Sequence, residues 1–278
     1  MNWTKNDKQV WYSIEKWERE YFTYYPSDFS KTYGKWFDEA FDKLTPSYKT
    51  KSLQIVDNLL FHLHSILLNA QFQRDSKERI LLSIQAMNKD VKVWEDLKDC
   101  RIEQLRYIAH HNVAKHRLLS FAQGGLSGAG GILFLGLDIP ASIAAHLRSI
   151  QVVALSYGYP IHEPYETMLS LKVFHAATLP RQHQRQAWEQ LMVDISDQQL
   201  NPYFFESEEV VADSRWIRHL VGLVGKGTVL FMLRKRLIQG IPLMGMVYGA
   251  ATNYQLSRQI TDFANQFYQK RWLLDKKQ

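Results

Sequence analysis

The chain has 278 residues, enough for one large domain or two small ones. A hydrophobic share of 46 % supports a core, while 22 % charged residues and a mean hydropathy of -0.31 argue against a polytopic membrane protein. The net charge of +6 permits contact with anionic lipid or nucleic acid without requiring either, and no nucleic acid partner is expected.

The first twenty residues hold no apolar stretch of signal-peptide length. The expected location is the cytoplasm, free or peripheral at the inner membrane face. Val10, Ile14, Trp17 and Tyr21 recur at spacings of four, three and four, which predicts a helix. Trp36, Ala40 and Leu44 repeat the pattern, and Leu53, Val56, Leu60, Leu63 and Leu67 extend it. Ile80, Ile84, Met87 and Val91 begin another stripe. Cys100 is the only cysteine, so no intramolecular disulfide and no cysteine-based zinc site can form. Ile102, Leu105, Ile108 and Val113 continue the helical pattern after it.

No proline falls between Pro46 and Pro140 to forbid long helices. Asp138 reads as an N-cap with Pro140 in the first turn of a helix over 141–157, whose apolar face is Ile143, Leu147, Ile150 and Ala154. Gly158, followed by Pro160 and Pro164, marks its stop. Pro180 opens a helix carrying Trp188 and Leu191, and a last helix carries Ile260, Ala264 and Phe267. Strict apolar/polar alternation is missing. The expected fold is all-α, a single multi-helix domain with two glycine-rich helical hairpin segments packed centrally. An aromatic-rich helical region, 1–75, leads into a helical domain, 76–278, with no linker between them.

Two runs without a charged residue stand out, 118–137 and 237–257. Gly124, Gly128 and Gly131 lie four and three apart and share a face on a helix, where another backbone can come close. Each glycine costs about 1 kcal/mol against alanine in a helix interior, so tight contact or a break must offset it. A phosphate-binding P-loop is excluded, because Ile132 and Leu133 stand where that loop needs Lys and Ser or Thr. In the second run Gly245 and Gly249 form a GxxxG pair, and Arg234, Lys235 and Arg236 precede it. Its length reaches across a bilayer core, but Gln239, Pro242 and Asn253 make it poorly apolar. A buried helical hairpin, a membrane-inserted or re-entrant hairpin and a monotopic contact all remain open.

The catalytic inventory is thin. His110, His111 and His116 are close in sequence, yet none has the spacing of a zinc helix, and no metal or cofactor is expected. There is no GxSxG nucleophile elbow. Arg148 and His146 are polar intrusions on an apolar helix. Asp138 reads either as a cap or as a ligand group. Arg148 reads either as a solvated or salt-bridged residue or as a bidentate grip for a phosphate or carboxylate.

The stretch GGLSGAGGILFLGLDIPASIAAHLRSIQVVALSYGY, residues 124–159, resembles the signature of the EcsC family. Its parts are the glycine-rich run, Asp138 and Pro140, Leu147, Arg148 and Ile150, and Tyr157, Gly158 and Tyr159. The later IPLMGMVYGAATNY, with Tyr268 and Arg271 downstream, is similar to the family's C-terminal pattern. The resemblance implies a helical bacterial protein, a family named for a protein encoded beside the two components of an ABC transporter, and no established reaction. Asp138, Arg148 and Asn253 are the candidate ligand or anion site. Gly124, Gly128, Gly131, Gly245, Gly249, Arg234, Lys235 and Arg236 are the candidate membrane or partner contact. The leading expectation is a non-enzymatic protein at the cytoplasmic membrane face that binds a membrane protein, such as a transporter, or anionic lipid. The alternatives are an enzyme acting on a lipid-like or phosphorylated substrate, and a soluble helical scaffold.

Overall fold

A computed structural model describes residues 3–23, 70–130, 132–179, 181–200 and 242–277. Among these there is no strand, and the fold is all-α. The stripes expected over 36–67 and the Arg234, Lys235, Arg236 cluster lie outside the described residues.

Helix α1, Lys5–Phe22, opens with a capping box: Thr4 Oγ1 accepts from the Asp7 N–H, and the Asp7 carboxylate accepts from the Thr4 N–H. Val10 and Ile14 are buried as their spacing predicts, with Trp17 and Tyr21 partly buried against the same core. Trp17 stacks on Tyr21 and tilts against Trp188, which meets Phe263 edge-on. This aromatic cluster ties α1 to the C-terminal half of the chain.

Helix α2, Ala70–Gln85, buries Ile80 and Ile84. The stripe ends there. Met87 lies beyond the helix and is exposed, because the chain turns at Ala86 and Met87; Val91 is buried from the following loop instead. A 3-10 turn, Trp94–Asp99, follows, and Trp94 Nε1 donates to the Leu155 carbonyl at 3.1 Å.

Helix α3, Ile102–Gly130, rises about 43 Å at 1.5 Å per residue. Ile102, Leu105, Ile108 and Val113 are all buried. Helix α4, Ile132–Ser156, corrects the expected start of the next helix. Asp138 does not cap it: the helix begins at Ile132 and runs through Asp138 and Pro140. An interior proline removes one hydrogen bond and costs about 3 kcal/mol or more. Packing of α4 along α3 and the last helix offsets that. Its face of Ile143, Leu147, Ile150 and Ala154 is buried as predicted.

The helix stop at Gly158 is a Schellman motif. The Gly158 N–H donates to the Leu155 carbonyl (3.2 Å) and the Tyr159 N–H to that of Ala154 (3.1 Å), with Gly158 at φ 81°. Helix α5, Pro164–Thr178, starts with its proline in the first turn. Helix α6, Arg181–Leu200, carries Trp188 and Leu191 into the core. Gln184 and Gln259 both donate to the Ala177 carbonyl at the α5–α6 corner.

Helix α7, Pro242–Lys277, rises about 54 Å and packs against α1, α3, α4 and α5. Ile260, Phe263, Ala264, Phe267, Tyr268 and Leu273 are buried along it. The second charge-free run makes no hairpin within residues 242–257, which form a continuous stretch of α7.

Gly158 is the position where a backbone rule applies directly. A Cβ there meets Lys98 Cγ at 3.5 Å and Leu97 Cβ at 3.6 Å, ordinary contacts, so only the left-handed backbone opposes a side chain. Gly158→Ala is expected to lose about 1–2 kcal/mol of stability, read as the change in urea unfolding free energy. An unchanged midpoint sinks this account.

Candidate functional site

Side-chain hydrogen bonds fix the direction of α7 on α3. Arg117 donates to Thr261 Oγ1 (2.8 Å) and Asp262 Oδ1 (2.6 Å), while His110, earlier on α3, meets Asn265, later on α7 (3.0 Å). The two helices are therefore antiparallel, and residues 118–130 of α3 point the same way as residues 242–257 of α7. His116 and Arg148, roughly equidistant in sequence from residue 131, lie within electrostatic range of each other. Helix α4 thus doubles back, and its first turns share that end of the molecule.

The glycines fall into this arrangement. Gly124 and Gly128 are on the distal part of α3, and Gly245 and Gly249 are on the first turns of α7. Gly131, between α3 and α4, lies outside the described residues. Leu118, Ala122, Ala251 and Tyr254 are exposed at this end. Residues 118–130 span about 20 Å.

Charged groups begin where the runs end. Arg117 is paired with Asp262 at 2.6 Å, and Arg258 faces the same carboxylate at 3.5 Å. Asp138 and Arg148 stand ten residues apart on α4, about 15 Å along its axis, so they do not share a turn. Asn253 lies on α7, about 12 Å along the axis from the Thr261 that Arg117 reaches. Arg148 sits over the Phe72 ring at 5.4 Å, and its Nε is buried with no hydrogen-bond acceptor. His146, two residues away, is buried, and burial drops its pKa to about 4.

The motif residues of 157–159 meet the end of α7 in a buried polar network. Arg271 donates from both Nη atoms to the Glu166 carboxylate, at 2.8 and 2.6 Å, with both side chains almost wholly buried. Tyr159 lies 3.9 Å from the Arg271 guanidinium and donates its hydroxyl to Asp275 (2.8 Å). Tyr157 donates to Asn265 Oδ1 (2.6 Å), and Asn265 in turn reaches His110 Nε2. Burial works against the charge on Arg271, and Glu166 with Tyr159 more than compensates, so its pKa stands above the usual value. Burial likewise raises the hydroxyls of Tyr157, Tyr159, Tyr165 and Tyr268. Groups so held are not proton donors near neutral pH; the network anchors the loop after α4 onto α7.

Among the described residues no three His, Cys, Asp or Glu side chains converge to hold a metal ion. No described helix is long and apolar enough to cross a membrane. A shallow open depression is lined by Trp17, Glu20, Tyr21, Thr23 and Arg181, and no pair of catalytic groups converges on it. Sequence reasoning singled out Tyr157, Tyr159, Tyr268 and Arg271. It missed Glu166, Asn265 and Asp275, which are too far apart in sequence for any spacing rule to link.

Over residues 8–273 the chain matches the model of the EcsC protein family, and it belongs to that family. A protein of Bacillus subtilis (strain 168), described as "Uncharacterized protein YdbA", is 26 % identical over 266 residues, which cover 95 % of this chain and 91 % of that protein. No solved structure matches.

The ion pair and the buried histidine each make a prediction. Arg271→Met leaves Glu166 buried and unpaired and is expected to cost about 3–5 kcal/mol. Adding Glu166→Gln should recover more than half of that. A double variant whose loss equals the sum of the two single losses rules out the pairing.

His146 binds fewer protons folded than unfolded, so its contribution is full above about pH 6.5 and falls away towards pH 4. The expected loss is about 3 kcal/mol, and His110 and His116, whose pKa values burial also lowers, act in the same direction. Urea midpoints taken across that range check this. The slope should flatten in His146→Gln, and an unaltered slope contradicts the assignment.

Proposed function

We propose that this EcsC-family protein is a non-enzymatic helical module that works at the cytoplasmic face of a membrane, with the end built from its two charge-free runs in contact with an anionic bilayer. The observation that carries the reading is the antiparallel register of α3 and α7, which sends residues 118–130 and 242–257 in one direction. Runs more than a hundred residues apart thereby share one end, and neither carries Lys, Arg, Asp or Glu. Asp138 on α4 is the acid nearest to it in sequence.

Magnitudes favour contact over crossing. An end about 20 Å long enters one leaflet but does not span a hydrocarbon core about 30 Å thick. The exposed Leu118 and Tyr254 are suited to the interface. Lys115 and Arg258, both exposed, stand where the charge-free segments stop, at the height of anionic headgroups. A second reading, in which the end packs on a membrane protein such as a transporter, rests on the four-residue spacing of Gly245 and Gly249, which lets another helix approach.

Sedimentation with vesicles separates these readings. The full chain is expected to pellet with phosphatidylglycerol vesicles at low salt and to be released partly as salt rises. Leu118→Glu together with Ala251→Glu should abolish pelleting without lowering the melting temperature, since both positions are exposed. Complete recovery of the wild-type protein in the supernatant at low salt sinks the bilayer reading.

A further inference from the structure

Arg148 and its neighbours form a cluster of basic groups that no acid among the described residues balances. Arg117, Lys172, Lys270, Arg271 and Lys276 are all largely buried, and each has a carboxylate within ion-pair distance. Arg148 has none among the described residues, and its Nε is buried without an acceptor while the guanidinium rests over Phe72 of α2. Arg79 of α2 spends one Nη on Ser76 Oγ at 3.1 Å and has no carboxylate within ion-pair distance among the described residues. His116 of α3 feels both. After burial, these two guanidiniums are what lower its pKa, and no acid among the described residues offsets them.

Three helices thus bring two fixed positive charges and one imidazole together with no acid among the described residues to neutralise them. Arg79 is exposed while His116 and Arg148 are half-buried, so the repulsion weighs most on Arg148, whose buried Nε an incoming anion would satisfy. We infer that Arg79, His116 and Arg148 form a recognition site for a phosphate group, either a soluble phosphate monoester or the phosphate of a lipid headgroup. Two guanidiniums match the charge of about −1.5 to −2 on a phosphate monoester better than the single charge of a carboxylate. The guanidinium of Arg148 offers its fork to two oxygens at once. His116, neutral at pH 7, supplies one N–H donor or takes up a proton as the dianion enters. The site lies on α4 well below Asp138, level with the cations of α3, where a headgroup phosphate stands if the charge-free end enters a leaflet. It does not depend on that entry, because a soluble phosphate reaches it equally well.

The test uses the full chain and two probes that stay monomeric in water, inorganic phosphate and dihexanoyl phosphatidic acid, each against chloride at matched ionic strength. Melting temperature and calorimetric titration are read together. At least one probe is expected to bind and stabilise. Arg148→Met should weaken that binding about 10- to 100-fold, the worth of one or two charged hydrogen bonds. Arg148→Lys should weaken it less. Without ligand, Arg148→Met should melt no lower than wild type, since it removes an unpaired charge. Response to inorganic phosphate identifies a soluble ligand, and response to the phosphatidic acid alone identifies a headgroup. Silence with both probes, or binding unaltered in Arg148→Met, overturns the inference whatever the vesicle experiment shows.

Discussion

Helix α7 runs the length of α3 in the opposite direction, and the bonds that fix this arrangement are few. Arg117 holds Thr261 and Asp262, and His110 holds Asn265. Reversing the direction of either helix would send one charge-free run to each end of the molecule. As built, the two runs share an end, α4 returns alongside them, and the Lys, Arg, Asp and Glu residues of α3 and α7 all lie beyond the runs, towards the other end. The same helix gathers the rest of the described structure. Its last turns hold α1 through Lys276 with Asp7 and Trp3 with the Leu273 carbonyl, and they hold the loop after α4 through Asp275 with Tyr159.

Two guanidiniums in this bundle meet opposite fates, and the contrast is physical. Arg271 is buried with two short bonds to Glu166 and an aromatic face on Tyr159. Its charge is neutralised and its donors are used, so the net gain over a hydrophobic pair is small while the cost of breaking it is large. That suits an anchor whose geometry must be unique. Arg148 has an apolar ring beneath it and two basic neighbours, with a buried donor left over. The unsatisfied Nε is a cost to the isolated protein. On the inference drawn above, an anion from outside the chain would supply the missing charge and the missing acceptor.

The helical skeleton was legible because its signals are local. Spacings of three and four placed Val10 and Ile14, the row from Ile102 to Val113, and the face from Ile143 to Ala154 in the core, where they lie. Gly158 announced a stop through a backbone requirement that needs no tertiary information. Two local signals misled. Asp138 before Pro140 has the form of a cap, yet α4 runs through both, since packing along α3 and α7 outweighs one lost hydrogen bond. Met87 fits the stripe of Ile80 and Ile84, yet the turn at Ala86 removes it from the face. Long-range partners could not be read at all. Nothing near Arg271 in sequence points to Glu166, and nothing near Arg148 points to Arg79 or His116. The membership in the EcsC family was visible in the motif residues, and the roles of those residues were not.

A scaffold that needs its glycines only to tighten a core must still explain where the polar surface went. A solvated helix end ordinarily carries Lys, Glu and Arg, which cover apolar surface with their stems and keep the end soluble. Here α3 offers Leu118 and Ala122 to solvent, and α7 offers Ala251 and Tyr254, with no charge on either helix until Arg117 and Arg258. The change from charged to uncharged falls at the same height on both helices, because the Arg117–Asp262 pair and the Arg258–Asp262 contact share one carboxylate. Core packing has no reason to align that boundary across two helices distant in sequence. The proposed planar surface would, since every group that meets it must change character at one depth. The basic cluster of Arg79, His116 and Arg148 stands near the same level, so on the two proposals made above one geometry would set the depth of contact and hold the cluster at the layer where phosphates are found.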